Sequence, residues 1–159
     1  MPSFLDKLCT ADELAERLRS LARPMAFTNG VFDILHRGHV SYLAEARALG
    51  ASLVVGLNSD VSARGLGKGP ERPLNGEIDR ACVLAALESV SLVTLFDEAT
   101  PVELLQRVRP DWYVKGGDYD IDSLEETRLV RGWGGNACVI AFVDGYSTSA
   151  LVRRIRGEA

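Results

Sequence analysis

Long hydrophobic runs are missing from this chain: no apolar stretch approaches the roughly 18 residues that a membrane-spanning helix needs. The opening residues, MPSFLDKLCTADE, mix charges into their first turns and lack the apolar core of a secretory leader. Basic excess is missing too. Eighteen Lys and Arg face 22 Asp and Glu, a net charge of −4, and no basic arm stands out. DNA, RNA and anionic membrane surfaces therefore fall as leading partners. Cysteine is sparse, with Cys9, Cys82 and Cys138 far apart and no C-x-x-C pair. That excludes a disulfide framework and a cysteine zinc site, and it fits free thiols in a reducing cytoplasm. Two familiar phosphate loops are absent as well. Gly65-x-Gly67-x-Gly69 lacks the G-x-G-x-x-G spacing, and Lys68 is followed by Gly69 where a P-loop needs Ser or Thr. No internal repeat or low-complexity run occurs.

What is present suits a single α/β domain. The 159 residues are 47% hydrophobic and 25% charged, enough apolar chain for a sizeable core. Thr10 and Glu13 have the spacing of a capping box, predicting a helix over 11–22. Apolar runs at 25–28, 52–57, 90–96, 112–114 and 137–143 read as strands. Helical patterns are expected from about Gly38 to Gly50, over 77–87, after a second capping box at Thr100–Glu103 with Pro101 at the first helical position, over 123–132, and from Ser147 or Thr148 onward. Five short apolar strands separated by helices predict a doubly wound five-stranded parallel sheet covered on both faces. Residues 1–23 are expected as an N-terminal helical extension and 24–159 as the globular domain. The Gly- and Pro-rich stretch Arg64–Gly76 reads as a long surface loop. In such folds a ligand sits beyond the carboxyl ends of the strands, where strand order reverses.

The segment Thr28–His39, T-N-G-V-F-D-I-L-H-R-G-H, follows the first expected strand and runs into a helix. It holds both histidines of the chain, His36 and His39, separated by Arg37 and Gly38. Residues three apart at a helix start share a face. Unpaired amides and the positive dipole end there favour an anion. Two imidazole donors at that place can hold phosphate oxygens whose charge grows during a reaction. The same pair also suits a structural role, or two ligands of a metal, although no third His or Cys cluster completes a metal site.

The string T-x-G-x-F-D-x-x-H-x-G-H resembles the signature of the H-x-G-H nucleotidyltransferase superfamily. The wider blocks TNGVFDILHRGHVSYLAEAR, LNSD, RPLN, VLAALESV, RPDWYVKGGDY and DGYSTSALVRRI are similar to the adenylyltransferases of ADP-heptose synthesis, in a stand-alone form without a kinase domain. The resemblance implies a Rossmann-like nucleotidyltransferase fold, and transfer of AMP from ATP to heptose 1-phosphate with release of pyrophosphate, for lipopolysaccharide core. A cytidylyltransferase acting on glycerol 3-phosphate and a non-catalytic nucleotide sensor are the competing readings. It further implies roles for single residues. Thr28, Asn29, Gly30, Val31 and Phe32 would lie along the nucleotide phosphates, with the Thr28 hydroxyl among the donors. His36 and His39 would contact α- and β-phosphate oxygens. Lys115 would be a catalytic cation, with Gly116, Gly117 and Asp118 around the base. Tyr146, Ser147, Thr148 and Ser149 would cap the last helix and hold the outer phosphates. Arg80 would reach the nucleotide, while Asn58, Asp60 and Arg72 would lie at the second substrate. Asp33 is expected to buttress the turn, and Lys68 is given no phosphate role. Magnesium is expected to arrive with ATP, since no carboxylate cluster offers a dedicated cage. A homodimer is implied by the resemblance alone.

Overall fold

Alternating apolar runs and amphipathic stretches produce a three-layer sandwich in the computed structural model, which describes residues 3–158. Strands β1 (Leu8–Cys9), β2 (Met25–Gly30), β3 (Ser52–Asn58), β4 (Leu92–Phe96), β5 (Trp112–Gly116) and β6 (Asn136–Ile140) form one sheet in the order β1-β4-β3-β2-β5-β6. Every pair is parallel. The expected fold class holds, with six strands in place of five. The extra strand is Leu8–Cys9, which pairs with Val93 and Thr94 at one edge. Two residues show no periodicity, so the expected helical extension hid a strand.

Helices α1 (Leu14–Ser20), α2 (Arg37–Ala48), α3 (Asp60–Gly65), α4 (Glu77–Ala85), α5 (Val102–Val108), α6 (Glu125–Gly132) and α7 (Thr148–Ile155) complete the chain. β3 lies inside the sheet and is buried at every position, as an uninterrupted apolar run demands. Two cores flank the sheet. One gathers Ala26, Leu53, Val55 and Val114 against Tyr42, Leu43 and Ala46 of α2 and Leu84 of α4. The other gathers Phe27, Val54 and Tyr113 against Leu14 of α1, Leu104 and Leu105 of α5 and Val130 of α6.

Two helix starts differ from expectation. Thr10 does bond Glu13 through its amide (3.0 Å) and hydroxyl (2.8 Å), but the regular helix begins only at Leu14. Before α5, Pro101 occupies the cap position itself and no side chain caps the helix. Thr100 and Pro101 line a cleft instead.

From β2 the chain steps to β3 and β4 on one side, then crosses back to place β5 on the other side of β2. The loops leaving β2 and β5 consequently part toward opposite faces of the sheet, and a crevice opens between them.

Candidate active site

β2 delivers the chain to this crevice, and its alternation decides what each residue can do. Thr28 turns toward α2, is fully buried, and its Oγ1 lies 2.6 Å from the Tyr42 hydroxyl. Tyr42 in turn donates to the Val114 carbonyl at 3.1 Å, so Thr28 is left donating to the tyrosine oxygen. The expected phosphate role of the Thr28 hydroxyl is thus not met in this arrangement. Thr28, Tyr42 and Val114 tie β2, α2 and β5 together under the crevice floor. Asn29 turns to the opposite face, where its Oδ1 takes a long 3.5 Å bond from the Tyr113 hydroxyl.

Beyond Gly30 the chain bends sharply. Phe32 has φ of 47°, a left-handed conformation that costs a residue other than glycine about 1–3 kcal/mol. The bend seats the Phe32 ring edge-on to His39, with centroids 5.5 Å apart. It also aims Asp33 at the loop before α4. There the Asp33 carboxylate accepts from Arg72 Nη1 at 2.8 Å and from the amides of Leu74 and Asn75, each at 2.9 Å. Asp33 is therefore a buttress, and through it the Gly-rich loop is fastened beside the crevice.

α2 then starts at Arg37. The His36 and His39 rings stack with centroids 3.9 Å apart and planes 25° from parallel. The His36 amide points at His39 Nδ1 at 3.4 Å. His36 Nδ1 is buried and finds no partner among the described residues. Burial, the neighbouring His36 and the Lys68 ammonium together push the His39 pKa down to about 4. Burial lowers His36 as well. Desolvation in the stack disfavours the charged form of both imidazoles, and a bound anion would act in the opposite sense. Gly38 permits the stack: a Cβ there would meet the His36 ring at 3.0 Å and the Tyr146 Cβ at 3.1 Å.

The crevice encloses about 520 Å³. Of the expected residues, Asn29, Gly30, Val31, Phe32, His39, Asn58, Arg72, Lys115, Gly116 and Thr148 line it together. His36 stands behind His39. Tyr146 covers His36, its ring 6.1 Å from the imidazole and 5.9 Å from the Arg37 guanidinium. Ser147 caps α7 by accepting from the Ala150 amide at 3.0 Å, and Thr148 donates to the Ile34 carbonyl at 3.3 Å. The start of α7 is thereby held close to the start of α2. Ser149 and Asp118 are exposed and outside the lining, and Gly117 is buried beneath it.

Arg80 departs most from expectation. Its side chain is fully buried, and it donates to the carbonyls of Asn75 (3.0 Å), Val31 (2.7 Å) and Asn58 (2.9 Å) and to Asp60 Oδ1 (2.7 Å). A guanidinium with four of its five N–H donors so engaged and no exposed surface braces three loops from below and does not line the cleft. Asp60 is engaged in the same pair, and Ser59 caps α3. Asn58 faces the cleft but gives its amide to Ser62 Oγ at 2.9 Å.

Several lining residues were not expected. Lys68 joins Arg72 and Lys115 as a third cation. Tyr42 lies one turn beyond His39 on the same helical face, a spacing that does mark it in the sequence. Phe142 is 56% exposed and lines the cleft. A Cβ on Gly116 would strike its ring at 2.6 Å, so the glycine is what admits the aromatic. Tyr119 stands nearby, its ring 5.0 Å from the Lys115 ammonium. Nothing in the sequence separates such aromatics from core residues. Among the described residues no group of three or more His, Cys, Asp or Glu is placed to hold a metal, and no helix is long and apolar enough to cross a membrane.

Comparison with known proteins identifies the family. The cytidylyltransferase-like family profile matches residues 27–154. A D-beta-D-heptose 1-phosphate adenylyltransferase of Bordetella bronchiseptica is 56% identical over 96% of either chain. The bifunctional protein HldE of Magnetococcus marinus is 49% identical over 93% of this chain, which spans only 30% of that longer protein. Among solved structures, the lipopolysaccharide core biosynthesis protein of Thermoplasma volcanium superposes with TM-score 0.63 and 31% identity, covering 77% of this chain and 98% of the other. Pantoate-beta-alanine ligase of Francisella tularensis, with TM-score 0.59 and 12% identity over 94% of this chain and 76% of that one, shares the fold.

Proposed function

The chain belongs to the cytidylyltransferase-like family, and from that premise we propose that it transfers AMP from ATP to D-glycero-D-manno-heptose 1-phosphate, giving ADP-heptose and pyrophosphate for lipopolysaccharide core. The observation that carries this reading is the near-full-length similarity to the Bordetella bronchiseptica enzyme. The cleft agrees with it. A phosphate oxygen of the sugar phosphate attacks the α-phosphorus of ATP in line. One P–O bond forms, the bond to the β-phosphate bridge breaks, and the electron pair leaves with pyrophosphate. The nucleophile is already an anion near neutral pH, so the protein's work is alignment and charge stabilisation.

The triphosphate lies over the start of α2, where first-turn amides and the helix dipole face the cleft. His39 donates to the oxygens that gain charge, and His36 supports its ring. Lys115, Lys68 and Arg72 supply cations around the phosphates. The start of α7, held near α2 by Thr148, offers the outer phosphates its first-turn amides. Adenine lies against Phe142 and Tyr119, above Gly116 and Gly117, since flat aromatic faces and side-chain-free backbone suit a purine. A magnesium ion arriving with ATP would add positive charge at the phosphates beside Lys68, Arg72 and Lys115. The Asp33 carboxylate in the cleft is engaged by Arg72 and two loop amides. With ATP and a sugar phosphate as substrates, we place the enzyme in the cytoplasm.

A pyrophosphate-release assay over nucleotides and phosphorylated acceptors tests the reading. ATP with heptose 1-phosphate is expected to be the fastest pair. CTP with glycerol 3-phosphate outperforming it would establish the cytidylyltransferase instead. ATP binding with no pyrophosphate from any acceptor would establish a sensor.

A further inference from the structure

An acid in a cleft built for anions calls for a reason. The lining holds the cations Lys68, Arg72 and Lys115, yet it also holds two carboxylates, Asp33 and Glu126. Asp33 is consumed by Arg72 and two loop amides. Glu126 makes no hydrogen bond or ion pair among the described residues. It is carried in the first turn of α6 and half-buried, with its neighbour Thr127 and, one turn on, Val130 fully buried. α6 packs on the sheet face opposite α2. Glu126 thus reaches the crevice from the side opposite the histidines, and its charge would repel a phosphate placed beside it.

Glu126 lies close enough to the Tyr113 phenol for its charge to act on it. Strand alternation sends the Asn29 amide to that same face, where its one side-chain bond among the described residues is the long one from Tyr113 at 3.5 Å. Burial, and next the charge of Glu126, raise the Tyr113 pKa, so its O–H remains a donor throughout the working pH range. A free carboxylate acceptor and a loosely held amide, both on the cleft lining, are what a cluster of neutral hydroxyls pairs with. They suit neither a phosphate nor an apolar group.

Resting on the adenylyltransferase reading above, we propose that Glu126, with Asn29 beside it, forms the subsite that reads the hydroxyl groups of the sugar phosphate. The sugar lies along the α6 side of the cleft with its hydroxyls on Glu126 and Asn29, and its phosphate points back toward the cations and α2. Glu126 is then the residue that separates a heptose from a shorter sugar, because it reaches past the ring to the terminal hydroxyls.

The test compares the wild-type enzyme with Glu126→Gln and Glu126→Ala, using heptose 1-phosphate and mannose 1-phosphate, which lacks the seventh carbon and its hydroxyl. KM for heptose 1-phosphate is expected to rise about 10–100-fold, the scale for losing a charged hydrogen bond, with KM for ATP within about twofold. The wild-type preference for heptose over mannose is expected to shrink in both variants. A preference that stays intact while both acceptors weaken equally would reduce Glu126 to a structural role and overturn the inference. A rise in KM for ATP, with altered choice between ATP and CTP, would assign Glu126 to the base and overturn it too. Wild-type enzyme that releases no pyrophosphate with heptose 1-phosphate would sink the parent reading and the inference together. An active wild type with unaffected variants sinks the inference alone.

Discussion

At the scale of single residues, His39 is where sequence, geometry and chemistry meet. It is the helix-start imidazole that lines the cleft, and its partner His36 stacks on it from behind. His39→Ala is expected to lower turnover about 10²–10³-fold, the range for one lost transition-state donor, while KM for ATP changes far less. Steady-state kinetics decide the matter: equal losses in affinity and rate would make His39 a ground-state contact. Its protonation gives a second prediction. The pKa of about 4 in the free protein lies below the ordinary value of 6.5. As pH falls from about 6.5 to about 4, the unfolded chain takes up a proton that the folded chain refuses. Stability contributed by neutral His39 is therefore lost on acidification through that window. Bound phosphates act in the opposite sense and raise the imidazole pKa. With only two histidines in the chain, NMR titration can follow each one. The His39 midpoint is expected near pH 4 in the free protein and higher with ATP. A free-protein midpoint near 6.5 would contradict the desolvated stack. Legibility at this scale followed side-chain direction. The H-x-G-H pair and Lys115 were readable as types at a spacing. The burial of Thr28 was not, because the motif names the residue without saying which sheet face it points to.

At the scale of elements, the crevice depends on loops that the core holds from below. Arg80 illustrates this: one side chain on α4 joins the loops after β2 and β3 and the one before α4. Replacing it by methionine keeps the apolar stem but strands three carbonyls and leaves Asp60, which is 26% exposed, without its counter-ion. Arg80→Met is expected to cost about 3 kcal/mol, toward the lower end for breaking a buried pair from one side. The urea-unfolding midpoint measures it, and a loss below about 1 kcal/mol would show the brace to be dispensable. In the sequence an arginine opening a helix after a polar loop looks like a substrate cation. Four bonds that converge from three distant segments are invisible there. Elements with many apolar residues, such as β3 or α2, were legible because burial imposes a pattern on the chain. β1 and the start of α5 were not. Leu8–Cys9 is too short to carry a period, and Thr-x-x-Glu at 100–103 satisfies a capping pattern that local geometry then leaves unused.

At the scale of the whole molecule, charge is distributed against expectation for a polyphosphate enzyme. The chain is acidic overall, at −4, yet its cleft gathers Lys68, Arg72 and Lys115. Attraction for anions is therefore local and fades within about 10 Å at ordinary ionic strength. A compact triphosphate that enters the cleft meets the cations; a long polyanion on the surface meets mostly repulsion. ATP bound only by the folded state stabilises it by about 2.7 kcal/mol at a hundred times its Kd. At about 2–4 °C per kcal/mol for a domain of this size, magnesium-ATP is expected to raise Tm by about 5–10 °C. Heparin or duplex DNA at equal phosphate concentration is expected to leave Tm within about 1 °C. Lys115→Ala, which removes a cleft cation half-exposed at the end of β5, should require a higher ATP concentration for the same shift. Differential scanning fluorimetry across an ATP series reads all three. Stabilisation by heparin that matched ATP would mean that anions bind across the surface, and the cleft would lose its claim to be where phosphate is recognised.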